Sequence, residues 1–167
     1  MVPLYVFLLI FFELLIVAWI DFKTAKISNY WFLINVLAFV LLSIFLPKVY
    51  IWGIQNFFLP IAFIFVGFML FQLNIMGAGD SKYLFSLFLM VPYELQDQAF
   101  YTLIYSTILV GGMSFFINIY QNKKKLAFAF ERKNVGIIKG VFGKKFTYAP
   151  VILMSWVWFG FVARVWE

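Results

Sequence analysis

Six stretches of mostly apolar residues follow one another along this chain, near 4–20, 30–46, 51–73, 81–96, 99–120 and 148–166. A bilayer core about 30 Å thick is crossed by a helix of about 20 such residues. Lipid offers no partner for a backbone amide, and a helix satisfies its own. The pattern therefore predicts an all-α, polytopic membrane bundle of about six transmembrane helices, forming one domain over 1–167. Composition agrees, with 65% of residues hydrophobic and only 12% charged, against roughly a quarter charged in a soluble domain. A soluble core of this size could not hide so much apolar surface. The fourth stretch is the shortest, continuously apolar only from Tyr83 to Val91 before Pro92. Pro60 predicts a kink in the third, tolerated where a neighbour re-satisfies the freed carbonyl.

No Lys or Arg precedes Lys23, so the first segment lacks the basic start of a secretory signal peptide and reads as a retained helix. Basic residues then orient the set, because they collect on the cytoplasmic side. Eleven of the thirteen, from Lys23 and Lys26 through Lys82 to the Lys123–Lys145 cluster, fall on one side; Lys48 and Arg164 fall on the other. This predicts both termini outside and the loops after helices one, three and five in the cytoplasm. The stretch at about 121–147 mixes Leu126, Phe128, Phe130, Ile137 and Phe142 with its lysines. It reads as a basic amphipathic loop lying on anionic lipid, with a docking surface for a substrate's soluble part as the other reading. The net charge of +6 follows from this asymmetry and predicts no nucleic-acid partner.

With no cysteine and no histidine, thiol nucleophiles, disulfides, Ser-His chemistry and the commonest metal ligands are excluded. No metal or cofactor is expected. Ionisable residues within or at the edge of a membrane are expensive and therefore functional candidates, and three acids qualify: Glu13, Asp21 and Asp80. Asp21 alone, beside Lys23 and Lys26, would be an ordinary interfacial residue. Asp80 lies in Met76-Gly77-Ala78-Gly79-Asp80-Ser81-Lys82, about 18 Å of helix before Pro92, which puts it below the membrane surface. Gly77 and Gly79 allow another backbone or an extended substrate to come close, although a glycine-rich helix start capped by Asp is the plainer alternative. By the orientation above, Asp21 and Asp80 share one face. Two adjacent carboxyls share a proton near neutral pH. Such a pair can activate water and protonate an oxyanion without metal, thiol or imidazole. Glu13, eight residues before Asp21, is rotated about 80° from it. It predicts an interior acid paired with a Ser, Asn, Gln or Tyr of another helix.

The Asp-x-x-Thr-x-x-Ile-x-Asn run from Asp21 to Asn29 resembles the first aspartate motif of the type IV prepilin peptidases, a family of membrane aspartic peptidases. Gly77-Ala78-Gly79-Asp80-Ser81-Lys82 resembles their second motif, Gly-x-Gly-Asp-x-Lys. Tyr148-Ala149-Pro150 is similar to a third signature of that family. The resemblance spans the chain and implies catalytic roles for Asp21 and Asp80, with Gly77, Gly79, Lys82, Thr24 and Asn29 supporting the motifs or binding substrate. It implies removal of a short basic leader from a prepilin-like protein at the cytoplasmic face of the inner membrane. Ser28 stands where the family usually has proline. The cysteine-rich N-terminal insertion of the larger members is missing, so the chain looks like the short form of tight-adherence (Flp) pilus systems, with archaeal preflagellin peptidases also similar; no methyltransferase activity is expected. Three alternatives remain at this point, one of them a noncatalytic helical scaffold for a secretion complex, which leaves the two aspartate motifs unexplained. Presenilin-like proteases also use Gly-x-Gly-Asp, but carry a Tyr-Asp context that Ile20-Asp21 does not match. A small proton-coupled transporter could use Asp21, Asp80 and Glu13 as a relay.

Overall fold

The computed structural model describes residues 3–24, 26–50, 53–72, 76–131 and 147–163, with backbone alone at 124, 126, 127 and 129–131. Among these it has six helices and no strand: α1 (Leu4–Thr24), α2 (Asn29–Phe45), α3 (Gln55–Gln72), α4 (Ala78–Met90), α5 (Tyr93–Glu131) and α6 (Ala149–Val162). Three reach the length and apolarity needed to cross a membrane, Leu4–Thr24, Gln55–Gln72 and Tyr93–Lys123; α2 and α6 are shorter apolar helices. At 13 residues, α4 is only about 20 Å long.

Polarity runs inside out. Large apolar side chains face outward, among them Trp19, Phe22, Phe45, Phe65 and Phe116, while Glu13, Asp21, Asn35, Ser86, Gln96 and Ser106 are buried. That arrangement suits an apolar solvent and agrees with several of these helices lying in a membrane.

Helix boundaries differ from the apolar stretches in two places. α4 does not run on through 96; it ends at Met90 because Pro92 supplies no amide and disfavours helical backbone before it, and α5 begins at Tyr93. Glu94 and Asp97, near the break between the fourth and fifth stretches, lie in the first turns of α5, which also continues past 120 to Glu131 with non-helical backbone at Asn122. Of the basic segment at 121–147, residues 132–146 lie outside the described residues.

Both prolines leave carbonyls without their helical donors, and one side chain serves them. The side-chain amide of Gln96 donates through Nε2 to the Asn56 carbonyl (3.2 Å), four residues before Pro60. The same nitrogen faces the Phe88 carbonyl (3.0 Å), four residues before Pro92, and Val91 O (3.3 Å). Gln96 therefore ties α3, α4 and α5 at the end of the bundle away from Asp80. Tyr50 adds to this end by donating to the Met90 carbonyl at 2.6 Å.

The close helix packings are α4 with α2 and α3, and α6 with α1 and α5; α3 and α5 touch only briefly. Phe63 of α3 meets Phe100 of α5 edge-on across that junction and Phe88 of α4 at a tilt. On the other side, Trp156 stacks on Phe7 and its indole N–H donates to the Phe7 carbonyl at 3.2 Å. The result is two groups of three helices, α2–α4–α3 and α1–α6–α5. Asp80 belongs to the first and Asp21 to the second.

Candidate active site

Asp21 sits in the last turn of α1, only 3% exposed. Its Oδ2 accepts from the Ala149 amide, the first residue of α6, at 3.1 Å. A carboxyl there faces the positive end of the α6 macrodipole. Pro150, next in the chain, needs no acceptor in the first helical turn. Tyr148 precedes them with its hydroxyl 2.9 Å from Thr107 Oγ1 on α5. The Tyr148-Ala149-Pro150 segment thus brings an amide donor to Asp21 and anchors it to α5.

Asp80 is the third residue of α4, and Gly77, with φ −76° and ψ 146°, is its N-cap. The Gly77 amide donates to Asp80 Oδ2 at 3.0 Å. This is half of a capping box, since glycine has no side chain to return the bond. Asp80 therefore does cap its own helix, as the plainer reading held, and it is also partly exposed. The two readings coexist. Asp21 and Asp80 stand at the same end of the bundle, because the turn that carries Asp80 rests on the loop that follows Asp21.

Gly79 explains how the two motifs meet. A Cβ on it would lie 2.7 Å from the Ile27 carbonyl oxygen, so the first turn of α4 rests directly on the backbone of the α1–α2 loop. Only glycine permits that approach. Gly67 plays the same part between α3 and α4, where a Cβ would run into Ser81. The α1–α2 loop is shaped locally. Thr24 Oγ1 is 2.9 Å from Ile20 O and 3.1 Å from Lys26 O, and Ser28 caps α2 by accepting from the Tyr30 amide at 3.4 Å. The Ser28 φ of −71° is one that proline also adopts, so the serine keeps the turn.

The remaining motif residues are not drawn in. Lys82 is exposed, two residues and hence about 200° around the helix from Asp80. Asn29 is the exposed first residue of α2. Among the described residues no group of acids could hold a metal ion. Glu13 lies deeper and is bonded to Tyr83, whose hydroxyl donates to its Oε1 at 3.0 Å. Beside Tyr148, an apolar cavity of about 190 Å³ opens between α3 and α5, lined by Phe63, Gly67, Leu70, Met76, Leu84 and Thr107 among others. Sequence reasoning missed Ala149, whose contribution is a backbone amide, and Thr107. The proline following Ala149 was the available signal, because it marks the start of a helix whose end can receive a carboxyl.

The type IV leader peptidase family model matches residues 7–116. The chain belongs to that family. No curated protein and no solved structure matches it significantly. The matched segment of this leader peptidase family member contains both aspartates and stops before α6. Membership makes the chain a peptidase by family.

Proposed function

We propose that this chain is a membrane-embedded aspartic endopeptidase that removes the short basic leader of a prepilin-like precursor at the cytoplasmic face of the inner membrane. The observation that supports the reading is the seating of the first turn of α4 on the Ile27 carbonyl of the α1–α2 loop, which puts the Asp80 end of α4 and the Asp21 end of α1 at one end of the bundle. The excess of basic residues assigns that end to the cytoplasm, with both termini outside. A precursor whose positive leader precedes an apolar helix presents its scissile bond at this level.

The two carboxyls share one proton, and the pair rather than either residue owns it. The ionised carboxyl takes a proton from water as the water oxygen bonds to the peptide carbon. The neutral carboxyl gives its proton to the carbonyl oxygen. Collapse of this intermediate breaks the C–N bond as one of its hydroxyls returns a proton to the second carboxyl, and the proton held by the first carboxyl passes to the leaving amine, which restores the starting pair. The apolar cavity beside Tyr148 gives the precursor's apolar segment a place against α3 and α5 while the leader extends toward water.

Coexpression with a candidate prepilin, followed by gel analysis and mass measurement of the product, tests this. Asp21→Asn and Asp80→Asn each leave the precursor uncut while the variant remains in the membrane. Normal processing by either variant removes the dyad from consideration.

A further inference from the structure

Glu13 is a buried acid that the hydrolysis does not use. It is 8% exposed and eight residues from Asp21, about 12 Å along α1. Leucine or phenylalanine would be far less costly to bury in an apolar bundle. What Glu13 does have is a directional bond across the boundary between the two helix groups. Tyr83, on α4 and 1% exposed, donates its hydroxyl to Glu13 Oε1 at 3.0 Å. Tyr83 is three residues, about one turn, beyond Asp80.

Tyr83 is itself held in place. Ser86 Oγ donates to the Tyr83 carbonyl at 3.0 Å and accepts from Asn35 Nδ2 of α2 at 3.3 Å. Asn35 also faces the Glu13 carboxyl. Three helices, α1, α2 and α4, thus meet in one buried polar set. Apolar contacts between helices in lipid select register weakly, because lipid tails are as apolar as leucine, whereas a hydrogen bond is satisfied in one register.

We infer that Glu13 and Tyr83, backed by Asn35 and Ser86, are positioning residues that hold the Asp21-bearing helices in register against the Asp80-bearing helices. The catalytic consequence rests on the peptidase reading above; the mechanical one does not. Breaking the bond leaves both carboxyls and their amide donors intact but lets them separate.

The test uses the full chain in lipid nanodiscs with a prepilin substrate. Tyr83→Phe and Glu13→Leu lower kcat about tenfold or more with KM within about twofold, as misplacement of reacting groups does. Glu13→Gln, whose amide oxygen still accepts from Tyr83, keeps most of the rate. The chain has no cysteine, so spin labels on Phe22→Cys and Ala78→Cys, both exposed positions, report the separation of the two ends. Their distance distribution is narrow in the parent and in Glu13→Gln, and broadens in Tyr83→Phe and Glu13→Leu. A narrow distribution in Tyr83→Phe, with or without a loss of rate, overturns the inference. So does Glu13→Gln behaving like Glu13→Leu, which would assign the effect to charge. Since the distance measurement needs no turnover, a chain that cleaves no precursor yet shows these distances overturns the peptidase reading and keeps the positioning role.

Discussion

Substituting Gly79 by alanine adds a Cβ 2.7 Å from the Ile27 carbonyl oxygen, where ordinary contact begins near 3.4 Å. Neither side of that clash is the far end of a flexible side chain. Ile27 is buried and anchors the α1–α2 loop, so the first turn of α4 must move off by about 0.7 Å to restore ordinary contact. Asp80 is the next residue and moves with it, while Asp21 stays with α1. A displacement near 1 Å in a reacting geometry can cost about 10²-fold in rate, so kcat/KM should fall about 10- to 100-fold. Overpacking costs about 1–3 kcal/mol of stability, and alanine's better helix propensity returns up to about 1 kcal/mol. Activity therefore drops more than folding does. The measurement is precursor cleavage by equal amounts of purified variant, with membrane abundance as the check on folding. Gly77→Ala should fall between, because its Cβ would lie 3.1 Å from Asp80 Oδ2 and the carboxyl need shift only a few tenths of an ångström. Gly111→Ala meets nothing within 4 Å and should cleave normally. Parental activity in Gly79→Ala, or equal damage in Gly111→Ala, would refute the reasoning.

Gln96→Leu removes the side-chain donor that reaches the Asn56, Phe88 and Val91 carbonyls and should lower stability by about 1–3 kcal/mol, read as a reduced thermal midpoint with KM unchanged. Tyr50→Phe removes the bond to Met90 O and should cost about 1 kcal/mol at neutral pH. Burial pushes the Tyr50 hydroxyl well above its ordinary range, with Tyr5 adding to the rise. Its stabilisation is therefore full below about pH 10 and falls above it, where the unfolded chain loses the proton that the folded chain keeps. Thermal melts across pH 8–11 should show a steeper alkaline decline in the parent than in Tyr50→Phe; parallel curves would count against this.

Helix number was legible because six apolar stretches read the same in any order of packing. Helix ends were not, since hydropathy marks where lipid stops and not where hydrogen bonding stops. Glu94 and Asp97 are polar yet helical. Pro92, by contrast, is a backbone signal, and it does end α4. The sequence placed Asp21 and Asp80 at helix ends, where they are found, and the kind of partner Glu13 needs was legible from the cost of burying it. Which tyrosine answered it depends on the antiparallel arrangement of α1 and α4, and no local pattern records that. The amide of Ala149 is still less visible, because every residue but proline has one and its meeting with Asp21 spans 128 positions.

Lys82 shows the opposite case, a motif member that the fold points away from the dyad. Helix ends account for the contrast. Two carboxyls at the end of an apolar bundle repel one another, and a nearby positive dipole steadies each. Asp80 has the N-terminus of its own helix, and Asp21, at the unfavourable C-terminal end of α1, has the N-terminus of α6. Each such end is worth about 0.3–1 kcal/mol, and up to about 2 kcal/mol when partly buried. On the proposed dyad reading, a lysine beside the pair would neutralise it, whereas two helix ends temper the repulsion and leave a shared proton free to move. On this reasoning α6 belongs to the site as fully as the aspartates do. The smallest set of elements that can place the proposed dyad is α1, α4 and α6, which extends past the segment 7–116 that the family model matches.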